Sequence, residues 1–247
     1  REIVGAKVGL ELEIEGERLP SFVNEDWEVK TDGSLRGGLE YVFSQPLGSV
    51  NTKAALESLA QCFKDNRSVL DYSFRTSTHV HVNVSNLSLD VTKAIIVLFH
   101  LFEDEYINFC ARSRKSNRFC LGMKDGDGVL HNIRGFLNTN AIPRIDSGKY
   151  SAMNLCTLAT FGTLEFRTLE GTDNWERIYT WVRVLLALRK AGKDLGTPKA
   201  VMGTKKEDLA ALLFPTERLK NTFLKEGWEG RYEMNRSVGW DAFYKVA

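Results

Sequence analysis

A strictly alternating segment near the amino end constrains the fold more than any other feature. Residues 4–15, VGAKVGLELEIE, place the apolar side chains of Val8, Leu10, Leu12 and Ile14 on one side and three glutamates on the other. Successive side chains of a β-strand point to opposite faces, so this period of two predicts a strand. One face of that strand is buried, and the other is polar.

The rest of the chain predicts a mixed architecture. Segments with helical spacing lie at 51–66, 90–109 and 173–191. Because the helices follow pairs of strands without a steady βαβ alternation, we expect an α+β fold, with an antiparallel sheet of about six strands and helices on one face. The other five predicted strands are Trp27–Lys30, Leu39–Gln45, Thr78–Val84, Tyr150–Cys156 and Thr163–Leu169, the last two forming a hairpin around 159–162.

Two further regions complete the organisation. Residues 111–148 are rich in Arg, Lys, Gly and Asn and break the periodic pattern. Long irregular segments in compact domains are commonly functional, and we expect this one to close over a site as a lid. We expect 1–192 to form the main domain and 193–247 a helical appendage packed on it.

Composition excludes several classes of protein. The 33 basic and 32 acidic residues give a formal charge of +1, without the basic excess typical of nucleic-acid or membrane-surface binding. The longest apolar run, around 94–102, is too short to span a bilayer. The cysteines are scattered without a C-x-x-C pair, which argues against a zinc site or a disulfide framework and favours the reducing cytosol.

The polar face of the first strand carries Glu11, Glu13 and Glu15. One interpretation is a solvated strand face, because exposed glutamates are common. The other is a divalent cation site, because hard ions such as Mg²⁺ bind carboxylate oxygens and offset the repulsion between like charges. This strand alone leaves both interpretations open.

Two further strands have the same character. His79 and His81, followed by Asn83, share the polar face of THVHVNV, and Glu165 and Arg167 share that of TLEFRTL. The histidines could be an exposed polar edge, satisfied buried imidazoles or metal ligands. Glu165 and Arg167 could form an exposed ion pair of little energetic value. The recurrence of potential ligands on three strands favours a shared site.

The motifs occur in an order that resembles a known family. The set is GLELEIE (9–15), WEVKTDGSL (27–35) followed by Glu40, THVHVN (78–83), RFC (118–120), KYSAMNL (149–155) and GTLEFRTLEGT (162–172). It is similar to the putative amidoligase family, which itself resembles gamma-glutamylcysteine ligase and, more remotely, glutamine synthetase. The matches cover about two thirds of the chain. The resemblance implies a glutamine synthetase-like sheet and makes 1–192 the catalytic domain.

The resemblance also implies roles for individual residues. It makes Arg167 the group that stabilises a transferring phosphoryl group, with Glu40 and Lys149 also catalytic. Lys149 and Arg118 would bind phosphate or a substrate carboxylate, and Asp32 and Ser34 could line the site. The implied metal ligands are Glu11, Glu13, Glu40, His81 and Glu165, and the implied nucleotide-binding residues are His79, His81, Arg118, Asn154 and Arg167.

The resemblance implies ATP-dependent amide formation between a carboxylate and an amine, with a gamma-glutamyl amide as one candidate product and Mg²⁺ or Mn²⁺ as the metal. A carboxylate is a poor electrophile, so ATP would convert it to an acyl phosphate that the amine attacks. The substrates would be small molecules or peptides. A guanidino-kinase-like phosphotransferase and a non-catalytic nucleotide- or metal-binding module remain alternatives, and metal-dependent hydrolysis is disfavoured because only two other histidines exist.

Overall fold

The computed structural model describes residues 6–142 and 148–246. Eight strands form one sheet, and every pairing between these strands is antiparallel. The strands are β1 (Lys7–Glu17), β2 (Trp27–Lys30), β3 (Gly38–Phe43), β4 (Leu47–Gly48), β5 (Val69–Asp71), β6 (Ser77–Asn83), β7 (Met153–Asn154) and β8 (Thr163–Glu170).

The sheet places β1 and β6 at its centre. The strand order is β2-β3-β1-β6-β8-β7. The short strands β4 and β5 pair with the two ends of β1, β4 at Lys7–Val8 and β5 at Glu15–Glu17. The three strands predicted to carry polar ligands, β1, β6 and β8, are therefore adjacent, which brings their polar faces together.

Besides the sheet, the described part of the chain forms eleven α-helices. Those that follow the strands are α1 (Ser49–Asp65), α2 (Leu89–Leu101), α3 (Glu103–Phe109), α4 (Asp127–Leu137), α5 (Thr157–Phe161) and α6 (Trp175–Leu195). Those of the carboxyl-terminal part are α7 (Pro198–Gly203), α8 (Lys206–Leu213), α9 (Glu217–Phe223), α10 (Trp228–Val238) and α11 (Trp240–Phe243).

The apolar face of the sheet packs against helices. Leu10, Val80 and Phe166, from the three central strands, are buried in one core. The ring of Phe99 on α2 lies 5.2 Å from that of Phe166, measured between centroids. This packing covers one face with helices, as predicted, and leaves the opposite face to the polar side chains.

The α+β class with an antiparallel sheet is confirmed, but the number of strands is not. The sheet has eight strands rather than six because β4 and β5 also pair with β1. Strands of two or three residues are too short to show an alternating pattern, so only their pairing reveals them. The first strand begins at Lys7, and residues 4–5 of the predicted strand lie outside the described residues.

Three predicted elements differ in detail. The helix predicted over 90–109 is two helices that meet at Phe102, which begins a new turn at φ −110°. The segment predicted to be irregular contains a short 3₁₀ helix at Arg112–Arg114 and helix α4, and its residues 143–147 lie outside the described residues. The predicted hairpin is shorter, because only Met153–Asn154 pairs with β8 and helix α5 fills the connection.

The carboxyl-terminal helices pack against α2 and α3. Phe102 stacks on Trp228 with centroids 6.0 Å apart and lies 5.2 Å from the ring of Tyr232. The guanidinium of Arg231 pairs with the buried Glu105 at 2.6 Å.

The division into a main domain and an appendage at residue 192 stays a prediction. Among the described helices, none combines the length and the apolar character needed to span a bilayer.

Candidate functional site

The polar faces of β1 and β6 meet through a direct register. Glu11 lies opposite His79, and Gly9 lies opposite His81. The Nδ1 atom of His79 is 3.1 Å from Glu11 Oε2, and Nε2 of His81 is 3.3 Å from Glu11 Oε1. Glu11 thus contacts both imidazoles of the neighbouring strand.

The third strand, β8, adds Glu165 and Arg167 to the same face. Glu165 lies opposite His81 in the sheet, with its Oε1 atom 3.9 Å from His81 Nε2 and 3.6 Å from His79 Nδ1. The Arg167 guanidinium forms an ion pair with Glu165. Asn154 on β7 donates to the other carboxylate oxygen of Glu165 at 2.5 Å. Glu165 is therefore fixed from both sides.

A β-bulge sets the position of Arg167. His79 stands alone between Thr78 and Val80, whereas both Arg167 and Thr168 stand between the residues of β8 that pair with these two. Bulges aim side chains and are frequent next to active sites. The buried Arg114 donates to the carbonyl of Arg167 at 2.7 Å and to that of Thr168 at 3.3 Å, so it satisfies acceptors that the interrupted ladder leaves open.

One group of potential metal ligands comprises Glu11, His81 and Glu165, named here the histidine cluster. One ligand atom from each residue lies within 4.8 Å of the others. Thr163 Oγ1 lies 3.1 Å from Nδ1 of His81 and holds the ring so that Nε2 faces the two carboxylates. Among the described residues, that buried Nε2 has no hydrogen-bond partner of acceptable geometry, although Glu11 Oε1 lies 3.3 Å away. A deprotonated imidazole nitrogen beside two carboxylates is suited to bind a cation.

Position 162 helps to place Thr163. Gly162 ends helix α5 in the left-handed conformation, at φ 65°, immediately before β8. A Cβ atom at this position would also lie 2.6 Å from the Cβ of Ser85. Glycine accepts both the conformation and the close approach, so the turn that delivers Thr163 to His81 requires it.

A second group comprises Glu13, Asp32 and Glu40, named here the carboxylate cluster. Its ligand atoms also lie within 4.8 Å of one another. Glu13 pairs with Glu40 across β1 and β3, and Asp32 comes from the turn after β2. Carboxylate oxygens alone are typical of sites for Mg²⁺ and other hard cations.

A hydrogen-bonded chain connects the two clusters. The hydroxyl of Ser77 donates to Glu13 Oε2 at 2.5 Å and lies 2.7 Å from Nε2 of His79. The opposite nitrogen of His79 contacts Glu11. His79 therefore links the two clusters, contacting Glu11 directly and Glu13 through Ser77. Its ring is only 3% exposed.

The charges of the site perturb its ionisable groups. Burial, with the negative charges of Glu11, Glu13 and Asp32, raises the pKa of Glu40 to about 7. Burial also disfavours ionisation of Glu11, but its interactions with His79 and His81 outweigh burial and lower its pKa well below the ordinary range. Burial opposes protonation of His81, yet nearby Glu11 and Glu165 raise its pKa. Several carboxylates close together are typical of a cation site.

Two cavities open beside the clusters. A cleft of about 450 Å³ lies beside the histidine cluster. A cavity of about 310 Å³ lies beside Glu13 and Asp32. The walls of the cleft include Glu11, Lys30, Val42, Pro46, His81 and Phe161, and those of the cavity include Glu13, Asp32, Ser34, Arg75, Lys149 and Arg167. The two clusters thus border two cavities, the larger with several apolar side chains in its wall and the smaller with mainly charged ones.

Two of the alternatives for the polar faces are wrong. Glu13 is 7% exposed and Glu15 is 3% exposed, and Glu11 is partly buried, so the three glutamates do not form a solvated strand face. Glu15 accepts from the backbone N–H of Arg36 at 2.8 Å and belongs to neither cluster. Glu165 and Arg167 do form an ion pair, but Glu165 is buried.

The structure brings together all but one of the predicted site residues. Lys149 lines the smaller cavity, and its ammonium lies over the ring of Tyr150. Arg118 is the exception, because it is exposed, lies over the ring of Phe119 and lines neither cavity. The strand pattern could not place Arg118, since it belongs to a segment without strand periodicity.

Sequence reasoning missed four residues at the site. Ser77 continues the alternation of His79 and His81, a signal lost because the predicted strand began one residue later. Thr163 has the same parity as Glu165 and Arg167 on β8. Lys30 and Arg75 line the cavities from a strand end and from a loop, where no pattern indicated them.

Comparison with known proteins identifies neither a matching family model nor a matching curated protein. Solved structures that match include a novel glutamine synthase homolog, at 12% identity and TM-score 0.40 over 98% of this chain and 68% of that one. GmaS in complex with ADP matches at 11% identity and TM-score 0.45, over 98% and 70%. A bifunctional glutathione synthetase from Pasteurella multocida matches at 12% identity and TM-score 0.38, over 98% and 48%. These similarities are too low to assign an activity to this chain.

Proposed function

We propose that this protein is an ATP- and Mg²⁺-dependent ligase that joins a carboxylate to an amine. The observation that carries the proposal is the arrangement of the histidine cluster and the carboxylate cluster between two cavities. Phosphoryl transfer from ATP needs cations that neutralise the triphosphate and a rigid site that holds donor and acceptor in line. Two adjacent groups of cation ligands on one sheet face meet that requirement.

The side chains fit divalent cations. In the histidine cluster, the Nε2 atom of His81 and the carboxylate oxygens of Glu11 and Glu165 make a mixed set of nitrogen and oxygen ligands. In the carboxylate cluster, burial and the negative charges of Glu11, Glu13 and Asp32 raise the pKa of Glu40, and a bound cation would relieve the repulsion between these charges. The all-oxygen set suits Mg²⁺, and the set with an imidazole also suits Mn²⁺. Bound there, the cations would neutralise charge on the transferring phosphoryl group.

The larger cleft is the proposed nucleotide site. Its wall combines the apolar side chains of Val42, Pro46 and Phe161 with the ammonium of Lys30. Phe161 is 67% exposed beside His81, with ring centroids 6.3 Å apart, so it offers a surface for a purine base. The triphosphate would extend from the base towards the histidine cluster.

The smaller cavity is the proposed carboxylate site. Arg75, Lys149 and Arg167 contribute three cationic side chains to its wall. Guanidinium and ammonium groups bind carboxylates through charge-assisted hydrogen bonds. A guanidinium substrate would meet repulsion from the same groups, so this wall favours the ligase over the guanidino-kinase alternative.

The chain's own residues then account for both steps. A substrate carboxylate oxygen attacks the γ-phosphorus of ATP and the bond to ADP breaks, which gives an acyl phosphate. Arg167 stabilises the charge that develops on the phosphoryl group, and Glu165 with Asn154 holds Arg167 in place. The amine attacks the acyl carbon, a C–N bond forms, phosphate leaves and the nitrogen loses a proton.

The test is a screen of amines against carboxylates for ATP-dependent phosphate release, with mass spectrometry of the product. We expect equal amounts of ADP, phosphate and an amide, dependent on both substrates and on Mg²⁺. Glu165→Gln should abolish turnover. Glu17→Gln changes an exposed glutamate at the end of the same sheet and should retain it. ADP formation without an amine requirement would instead identify a phosphotransferase.

A further inference from the structure

Three aromatic side chains form a connected patch, and two of them, Phe119 and Tyr150, line the smaller cavity. The rings of Phe74 and Phe119 lie nearly parallel with centroids 6.5 Å apart, and Tyr150 meets Phe119 edge-on at 5.7 Å. Phe74 is 48% exposed and Tyr150 is 42% exposed. Neighbouring exposed aromatic side chains commonly mark a binding surface. These three residues are named here the aromatic rim.

Each ring of the aromatic rim carries a cation. Arg75 lies 5.4 Å from the centroid of Phe74, and Arg118 lies 4.8 Å from that of Phe119. Lys149 lies 4.9 Å from the centroid of Tyr150. A cation over an aromatic ring keeps its full charge. Within residues 6–142 and 148–246, none of these three cations forms an ion pair with a carboxylate.

The positive charge is continuous with the interior of the cavity. Arg75, Phe119, Lys149 and Tyr150 line the cavity together with Arg167. The Nη1 atom of Arg75 donates to the carbonyl of Ser34 at 2.9 Å, which holds the guanidinium at the wall of the cavity. The buried Nε of Arg75 has no hydrogen-bond partner among the described residues. Positive groups therefore extend from Arg167 outward to the exposed Arg118.

We propose that the carboxylate substrate is an acidic peptide rather than a single amino acid. The reacting carboxylate enters the cavity, and further carboxylates of the same peptide bind Arg75 and Arg118 on the rim. This inference rests on the proposed ligase activity. An isolated amino acid would engage the interior and leave the rim cations without a ligand, whereas a chain of acidic residues matches a row of separated cations. The planar guanidinium groups bind carboxylates bidentately, and the rings offer contact area for the peptide backbone.

A single-stranded nucleic acid is a less suitable ligand for this surface. Its bases bind by stacking on open aromatic faces. Here a cation covers one face of each ring, and Phe74 and Phe119 also pack on each other.

Direct binding tests the inference without requiring turnover. The fluorescence anisotropy of labelled pentaglutamate is measured with the full chain and Mg²⁺, with pentaglutamine, pentalysine and a short oligothymidylate as comparisons. Pentaglutamate should bind best. Loss of one charge-assisted contact in Arg75→Gln or Arg118→Gln should weaken its binding about tenfold. Arg118 is exposed, so its replacement leaves the fold intact.

A matched control exists among the carboxyl-terminal helices. Arg236 also lies over aromatic rings, 5.9 Å from the centroid of Trp240 and 5.8 Å from that of Tyr244, but does not line the cavity. Arg236→Gln should change pentaglutamate binding less than about twofold, because it removes the same kind of stacked cation at a different place.

The outcomes separate this inference from the ligase proposal. If glutamate supports turnover as well as pentaglutamate does, and Arg118→Gln binds the peptide normally, the peptide inference fails and the ligase stands. If pentaglutamate binds through Arg75 and Arg118 but no carboxylate and amine pair supports ATP turnover, the peptide site stands and the ligase fails. Tighter binding of oligothymidylate than of pentaglutamate overturns the inference in favour of a nucleic acid.

Discussion

The affinity of the carboxylate cluster for Mg²⁺ should depend on pH through Glu40. Burial and the charges of Glu11, Glu13 and Asp32 raise the pKa of this carboxyl from 4.5 to about 7. Since a metal ligand must be deprotonated, a cation that binds below pH 7 displaces a proton from Glu40. The raised pKa also means that, without metal, ionisation of Glu40 lowers the free energy of unfolding as the pH rises from 4.5 towards 7, whereas below 4.5 this penalty is absent.

The magnitude follows from the position of the pKa. With a pKa of about 7, Glu40 is about one-tenth ionised at pH 6 and about nine-tenths ionised at pH 8. The dissociation constant of Mg²⁺ should therefore rise about tenfold when the pH falls from 8 to 6. Binding should release about 0.9 proton at pH 6 and about 0.1 proton at pH 8.

Isothermal titration of Mg²⁺ measures both quantities when buffers of different ionisation enthalpy are compared. His81 also has a raised pKa and contributes its own proton if a cation binds the histidine cluster. Glu40→Gln separates the two contributions, because it removes one titrating group without changing side-chain volume. This variant should bind Mg²⁺ more weakly and lose the tenfold dependence, while Glu17→Gln should keep it. Proton release that is independent of pH in the unmodified protein would refute the reasoning.

Three further substitutions test the site. Glu13→Gln should abolish Mg²⁺-dependent ADP formation and leave the circular dichroism spectrum unchanged, because it removes a ligand charge at constant volume; normal turnover would contradict the metal assignment. Arg167→Lys should lower kcat on the order of 100-fold with little change in KM, measured by steady-state kinetics, because the planar fork is lost. Arg114→Met should reduce the free energy of unfolding in urea by about 2 kcal/mol or more, because it leaves the buried carbonyls of Arg167 and Thr168 without a donor.

Alternation predicted the parts of the fold that one strand can encode by itself. The segments around Glu11 and His79 have a buried face, and that face fixed which residues lie on the opposite side. Strands β4 and β5 have two and three residues and form only because β1 offers unpaired edges. The break at Phe102 could not be predicted either, since neither Pro nor Gly marks it.

In the site as well, strand alternation predicted some residues, whereas others depend on how the chain folds between the strands. Glu11, His81 and Glu165 were predicted because each lies on a strand whose parity is visible in the sequence. Arg75 reaches the cavity from a loop, where position depends on the backbone path rather than on a period, and Asp32 was predicted there only through the resemblance. Arg118 was predicted to bind phosphate or a substrate carboxylate because it lies in the basic segment and in the RFC motif, and neither feature determines where its side chain points.

The bulge in β8 explains how a basic segment without periodicity becomes part of the site. In β8 the buried apolar residues are Leu164, Phe166 and Leu169, so the spacing changes from two to three at the position of the bulge. The interrupted ladder leaves carbonyl groups that need donors, and the buried guanidinium of Arg114 supplies them. This contact anchors the start of the segment to β8, and Phe119 of the same segment lines the smaller cavity. Closure of the segment as a lid stays a prediction.

One contact therefore serves both the chemistry and the proposed recognition of the peptide. Arg114 holds the backbone at Arg167, whose side chain faces the phosphoryl group in the proposed mechanism. Five residues after Arg114, Phe119 belongs to the aromatic rim, and Arg118 lies over its ring. Because both depend on the same buried arginine, Arg114→Met should disturb pentaglutamate binding and kcat together, whereas Arg118→Gln should disturb the binding of the peptide more than kcat. A variant of Arg114 that loses only one of the two would show that the rim and the bulge are positioned independently.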